Sequence, residues 1–368
     1  MFNSRVNLDC AAGLSGPGRA GNPSSPHTEG RRAKQMLEDA RTVIARLVEV
    51  QPDDVIFTSG ATESNALAIL GIAKKGDHVL YLPSAHASIV ENMRLLAQRG
   101  VDIEELPIRD GRVDIEMLKQ MIRDETVLVA MDAVCGETGI IWNTREVREI
   151  IGQKVLLHVD ASQAPLTEKI TRAHFGADML SFDSSKVSAV RGIGVLIAHR
   201  NPPAGGPLES LYRGGGQERG LRPGSESPEL AKAFAAALRA AALDRVKFRY
   251  SAEKERMRLI SEITSTIQDV YINEGRVQAP NILNISLPGC DTDYIVALLD
   301  EAGFAISTRS ACETDSEEGS RAVFALTGDK ERARSTLRIS WGSSVRSSEL
   351  AKFAKALAKA VTFVKLHN

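Results

Sequence analysis

Cysteine is scarce in this chain: four in 368 residues, too few for the disulfide framework of a secreted protein. Cys10, Cys135, Cys290 and Cys312 form no CxxC pair, so zinc-ribbon spacing is missing and no metal site is expected. No uncharged apolar run approaches the ~18 residues that span a bilayer, and the N-terminus lacks an apolar signal segment. An excess of charge is missing too. Lys+Arg 46 against Asp+Glu 47 leave a net charge of -1, so no global field recruits nucleic acid or an anionic membrane. Repeats and low-complexity tracts are lacking. Hydrophobic residues at 43% and charged residues at 25% exclude a disordered or collagen-like chain. The expectation is a soluble, cytoplasmic protein with room for two or three domains of ~100–200 residues.

What is there is an alternation. Seven short β-rich runs, Val55–Thr58, His78–Leu82, Val101–Leu106, Thr126–Met131, Val155–Val159, Met179–Phe182 and Gly194–Ala198, are mostly continuous apolar stretches. Such strands are covered on both faces by helices. The intervening segments Glu63–Ala73, Ser88–Gln98, Ile115–Ile122 and Thr144–Ile151 read as those helices. The spacing predicts a doubly wound α/β sheet of about seven strands, with ligands at the strands' carboxyl ends. After residue ~228 the layout becomes α+β. Pro228–Tyr250 and Ser251–Tyr271 read as two long helices, followed by strands at Asn281–Leu287, Ala305–Ser307 and Leu337–Ser340, a helix at Asp293–Glu301 and a terminal helix from Ser348. A second, smaller domain is expected there.

Four loops carry residues suited to chemistry. Thr58-Ser59-Gly60-Ala61-Thr62-Glu63 leaves a strand and opens a helix. Free N–H groups make it either an anion site or an ordinary capped turn. His158-Val159-Asp160-Ala161-Ser162-Gln163 ends a strand on a carboxylate that can hold a cationic ring nitrogen or cap a helix. In Ser181-Phe182-Asp183-Ser184-Ser185-Lys186 the lysine is placed for a Schiff base with an aldehyde cofactor, or is solvated surface. Ser307-Thr308-Arg309-Ser310-Ala311-Cys312 leads into the acidic run Glu313–Gly319, which reads as an exposed mobile loop carrying a reactive thiol or an incidental one. The adjacent carboxylates disfavour the thiolate.

In order and spacing these pieces resemble the cysteine desulfurases of group I (NifS/IscS-like), fold-type I pyridoxal-phosphate (PLP) enzymes of the class V aminotransferases. The resemblance runs from Asn7-Leu8-Asp9 and Gly21-Asn22-Pro23-Ser24-Ser25 through Gly60–Asn65, His86, His158–Asp160, Lys186, Gly214–Gly220 and Ser310-Ala311-Cys312 to Arg338. It implies an α/β fold-type I transferase, with a large PLP-binding domain (12–245) built on a mostly parallel seven-stranded sheet. A smaller α+β domain (1–11 and 246–368) carries the cysteine loop. Lys186 would hold PLP, Asp160 its ring nitrogen and Gln163 its ring oxygen, while His86 would stack on the ring and serve in acid–base steps. Ala61, Thr62 and Ser184, with Ser225 of the partner subunit of a homodimer, would bind the phosphate. Arg338 would clamp the carboxylate of L-cysteine. Cys312 would take the substrate sulfur as a persulfide, release alanine and pass the sulfur to an acceptor protein, such as an iron–sulfur scaffold or a tRNA-thiolation protein.

Four features depart from the family pattern. Cys135-Gly136-Glu137 stands where an Asn-Asn-Glu run is usual, which removes an amide. Ser185 replaces a His, and Asp183 replaces a phosphate-binding Ser. A carboxylate there repels phosphate unless it turns away and Ser184 or Ser185 substitutes. The segment from Leu8 to Asn22 is short. Cys135 is expected to be a buried apolar residue. A selenocysteine lyase or another class V lyase or aminotransferase would need no thiol at Cys312. A weakly active homologue serving as a scaffold would need none of Lys186, Asp160, His86 and Arg338.

Overall fold

The structure, a computed structural model, describes residues 8–12, 21–199, 206–308 and 319–367. Its strands are β1 (Val55–Thr58), β2 (His78–Tyr81), β3 (Asp102–Glu105), a hairpin of β4 (Ile108–Arg109) and β5 (Arg112–Val113), β6 (Thr126–Asp132), β7 (Leu156–Asp160), β8 (Met179–Asp183), β9 (Gly194–Ile197), β10 (Tyr271–Ile272), β11 (Ile282–Ser286) and β12 (Thr336–Ser340). The helices are α1 (Thr28–Val48), α2 (Ala61–Leu70), α3 (Ala87–Gln98), α4 (Ile115–Met121), α5 (Thr144–Ile151), α6 (Arg172–Phe175), α7 (Pro228–Thr266), α8 (Thr292–Glu301), α9 (Arg321–Thr327), α10 (Lys330–Arg334) and α11 (Ser347–His367).

The seven expected strands form one sheet in the order β1-β9-β8-β7-β6-β2-β3. Only β9 runs antiparallel to its neighbours β1 and β8; the other pairings are parallel. Every residue of β1, β2, β7 and β9 is buried, which is why these strands read as unbroken apolar runs. β3 lies at the sheet edge, and its Asp102, Glu104 and Glu105 blunt that edge.

Two of the long helices differ from the sequence expectation. α1 was not foreseen, although Ala33, Leu37, Ala40, Ile44 and Val48 recur at helical spacing and are all buried. The expected pair Pro228–Tyr250 and Ser251–Tyr271 is a single helix of 39 residues, α7. No glycine or proline interrupts positions 229–274, so nothing in the backbone breaks it. At 1.5 Å per residue it is about 58 Å long. The short strand expected at Ala305–Ser307 is reduced to one bridge between Ser307 and Arg338.

That length lets α7 serve two cores. Phe234 and Leu238 pack into the large core around the seven-stranded sheet. Leu259 and Ile263 pack with Leu283, Ile285, Leu337, Ile339 and Phe353 in a second core, around the antiparallel sheet β10-β11-β12 and helices α8 and α11. β11 joins the two, since Ile282 enters the first core while Leu283 and Ile285 enter the second. Among the described residues no helix is long and apolar enough to cross a membrane.

Candidate functional site

Loops at the carboxyl ends of β1, β2, β6, β7 and β8 meet over the sheet and enclose a cavity of about 280 Å³. Ala61, Thr62, His86, Asp160, Gln163 and Lys186 all line it, and Arg338 of β12 reaches in from the smaller core. Residues separated by up to 277 positions in the chain (61 to 338) thus share one wall-to-wall site. Ser184 is not among the lining residues. Its hydroxyl points inward and donates to the Val190 carbonyl at 2.8 Å, and Ser185 faces the cavity instead. Ser225 is exposed and lies outside the cavity of its own chain. Cys312 and its neighbours from 309 to 318 lie outside the described residues.

One end of the cavity is built on a hydrogen-bond network. Asp160, 6% exposed, accepts from the Asn65 side-chain amide at 2.7 Å and from the Ser162 N–H at 2.9 Å. The same Asn65 nitrogen donates to Ser88 Oγ at 2.8 Å. With both of its amide protons given away, Asn65 must accept through Oδ1, so His158 Nε2 is the donor across their 2.9 Å contact. Burial pushes His158 down to about 4, so it stays neutral and can serve only in that tautomer. Ser88 Oγ in turn meets His86 Nδ1 at 2.8 Å, and the Ser88 N–H donates to the same nitrogen at 3.2 Å. His86 is therefore held as the N-cap of α3 with Nδ1 as acceptor. The chain His158–Asn65–Asp160 with its branch Ser88–His86 fixes the carboxylate and the imidazole relative to each other.

Buried polar atoms on this lining with no hydrogen-bond partner among the described residues include Ser84 Oγ, Ser162 Oγ and Asp132 Oδ1. Such atoms are costly unless a ligand or water satisfies them. Asp132 ends β6 directly opposite Asp160 of β7, on the same face of the sheet. Burial and the Asp160 charge push its carboxyl up to about 8, against a smaller opposing effect of Arg321. Sequence reasoning passed over Asp132 because the apolar run was ended at Met131. The argument that singled out Asp160, a carboxylate closing a buried strand, applies to it equally.

The other end is built around Asp183. Thr58 of β1 and Asp183 of β8 both lie opposite Gly194 of β9. A Cβ on Gly194 would sit 2.6 Å from the Gly60 carbonyl carbon, so glycine is what lets the turn after β1 cross over β9 and approach β8. Asp183 Oδ2 then accepts the Ala61 N–H at the start of α2 at 3.0 Å. Its Oδ1 accepts from Ser185 N at 2.8 Å and Ser185 Oγ at 2.6 Å, which caps the short 3-10 turn Ser184–Lys186. Asp183 has not turned away from the cavity, and Ser185 is engaged with it. The other acidic residue of this turn, Glu63, is drawn off to Arg222 and the Tyr212 hydroxyl and held below the usual carboxylate range, with burial opposing.

The wall near the smaller core is set by Arg338, which donates to the Gly136 carbonyl at 3.2 Å and to Ser307 Oγ at 3.4 Å. At Gly136 a Cβ would meet Gln163 Nε2 at 3.3 Å, so Gln163 has moved in over the missing side chain. Cys135 is 1% exposed, with its sulfur 3.8 Å from the Ser84 carbonyl. Burial and the charge of Asp132 push its thiol up to about 12, so it has no thiolate to offer. Arg321, a second guanidinium on the lining, donates to the Ala85 carbonyl at 2.9 Å.

These residues fit a pyridoxal phosphate ring. The cavity holds a lysine, a carboxylate locked in place by two donors, an imidazole and unsatisfied polar atoms. The aminotransferase class-V family model matches residues 18–353. Cysteine desulfurase IscS 1 of Archaeoglobus fulgidus is 34% identical over 328 residues, covering 88% of this chain and 85% of that protein. A solved NifS-like protein superposes with a TM-score of 0.85 at 28% identity, over 93% of this chain and 92% of its own. SspA, solved in complex with cysteine, superposes with a TM-score of 0.73 at 26% identity, over 87% and 90% of the two chains.

Proposed function

Since this chain belongs to the aminotransferase class-V family, we infer that it is a PLP-dependent cysteine desulfurase, acting on L-cysteine and passing its sulfur to an acceptor. The observation that carries this reading is the convergence of Lys186, Asp160, His86 and Arg338 on one cavity from four separate segments. A scaffold protein has no need of that convergence. When bound, PLP supplies an electron sink for the carbanion that develops at the substrate Cα.

In this reading each residue takes the role that the family resemblance implies. Lys186 Nζ would hold the cofactor through its aldehyde and, once displaced by the substrate amine, would take the proton from the substrate Cα. Asp160, held in place by the Asn65 amide and the Ser162 N–H, would pair with the ring nitrogen. His86 would cover the ring and relay protons through Nε2, because Nδ1 is occupied by Ser88. Gln163 would face the ring oxygen. Arg338 clamps the substrate carboxylate, and its bond to the Gly136 carbonyl aims it into the cavity. Cys312 Sγ attacks the substrate sulfur. The new S–S bond forms as the Cβ–S bond breaks, Cβ takes up a proton, and alanine leaves with Cys312 as a persulfide.

The larger assembly belongs to the same reading. Segment 214–225 is anchored by a buried pair, in which Glu218 accepts from Arg41 at 2.7 and 2.8 Å and from the Phe57 N–H at 2.8 Å. Ser225 is exposed and, in this reading, would complete the phosphate site of a second copy in a homodimer. The division into a PLP-binding domain (12–245) and a smaller domain (1–11 and 246–368) is part of this proposal, with the boundary inside α7. So are an iron–sulfur scaffold or tRNA-thiolation protein as acceptor, and a cytoplasmic location. The test is alanine release from L-cysteine in the presence of a thiol reductant, comparing the wild type with Cys312→Ala. Alanine from the wild type alone is expected. Equal release from both would remove Cys312 from the reaction, and release from neither, in protein that retains PLP, would point to another class V substrate.

A further inference from the structure

The cofactor's phosphate, on the reading above, sits at the start of α2 beside Thr62. In this chain that niche already has an occupant. Asp183 Oδ2 takes the Ala61 N–H, and Asp183 Oδ1 takes both the N–H and the hydroxyl of Ser185. These are donors that a phosphate at this end would use. No cation among the described residues ion-pairs with Asp183, whereas Glu63 in the same turn is neutralised by Arg222 at 3.1 Å. Ser184 offers no substitute, because its hydroxyl is committed to Val190. The close approach is structural in origin: a Cβ on Gly60 would lie 2.9 Å from Asp183 Oδ2.

We propose that Asp183 is a built-in competitor for the phosphate end of PLP and sets how strongly this chain prefers a phosphorylated cofactor. The inference rests on the PLP reading of the cavity. A phosphate entering the niche must displace the carboxylate from Ala61 and Ser185 or lie beside a like charge at hydrogen-bond range, where repulsion is only partly screened. The ring end, with Lys186 and Asp160, is untouched by this conflict. The chain therefore holds PLP through its ring and its lysine more than through its phosphate, binds it reversibly, and discriminates weakly between PLP and unphosphorylated pyridoxal. Removing the carboxylate frees the Ala61 N–H and, with serine in its place, adds a hydroxyl donor.

The test is a titration of the cofactor-free full-length chain with PLP and, separately, with pyridoxal, followed by the absorbance of the lysine adduct. Wild type, Asp183→Asn and Asp183→Ser are compared. Asp183→Asn keeps the shape and an acceptor for Ala61, so it guards against a folding artefact. The expected result is PLP bound about 10- to 100-fold more tightly by Asp183→Ser, with Asp183→Asn between, and pyridoxal affinity within about twofold across all three. Equal PLP affinity in the three proteins would overturn the proposal, as would parallel tightening of PLP and pyridoxal. If borohydride reduction labels no lysine in any of the three, the PLP reading itself falls and the proposal falls with it.

Discussion

The two ends of the cavity are built to opposite rules. At the ring end a carboxylate, an amide, a hydroxyl and two imidazoles are linked by hydrogen bonds and leave Asp160 poised to receive a cation. At the phosphate end a carboxylate has been folded into the anion niche and has taken its donors. Both ends lie on strand termini of one sheet, and both are held by hydrogen bonds of ordinary length. The difference is one of charge. A site can be preorganised for a ligand of opposite sign, or satisfied internally by a group of the same sign as its ligand. Precision of geometry alone does not distinguish the two.

The comparison can be broken most directly at Asp160. Asp160→Asn keeps the shape but removes the charge that holds the ring nitrogen. Alanine release should fall about 10- to 100-fold, the worth of a charge-assisted hydrogen bond. PLP should still attach to Lys186, which absorbance would show. Retained activity would mean that the ring end is no more specialised than the phosphate end.

Deletions of single polar groups sharpen it next. Asn65→Ala leaves Asp160, Ser88 and His158 without their shared partner and should cost about 2–3 kcal/mol in urea denaturation, since the orphaned groups are buried. Ser185→Ala removes one hydroxyl bond to a carboxylate that keeps two N–H donors, and should cost under about 1 kcal/mol. Equal costs would contradict the view that the ring end depends on one shared partner.

A pH-dependent effect is expected from Asp132, the orphaned acid beside Asp160. Burial and the Asp160 charge raise its carboxyl from 3.8 to about 8. Between these values the folded chain keeps a proton that the unfolded chain releases. Its contribution to stability is thus complete below pH ~4 and is lost as pH rises toward ~8. Without cofactor, Tm should fall by a few degrees between about pH 5 and pH 8, and Asp132→Asn should flatten that slope. An unchanged slope would place the titration elsewhere.

The strand ends were readable because burial on both faces leaves an apolar signature that any covered parallel strand must carry. β1 and α5 appear at the residues expected, Val55–Thr58 and Thr144–Ile151. The continuous α7 was not readable at Tyr250–Ser251, because neither residue forbids or enforces a helix and only the two cores at its ends decide its length. α1 was legible in the period of Ala33, Leu37 and Ile44 and was simply not read.

For the site, the sequence alone determined which residue types were available: a lysine after β8, a carboxylate ending β7, an arginine in β12, and an aspartate where the family pattern has a serine. It could say that Asp183 and phosphate conflict, because like charges repel in any geometry. Whether Asp183 points toward or away from the niche was decided by tertiary structure. Pairing of Thr58 and Asp183 to either side of Gly194 brings the α2 N-terminus within reach of its carboxylate. The same holds for Asp132, unremarkable at the end of its strand until β6 lies beside β7 and places it against Asp160 in a buried wall. Local sequence carries charge and periodicity. Distance between segments remote in the chain, and the loss of water around them, exist only once the sheet has formed.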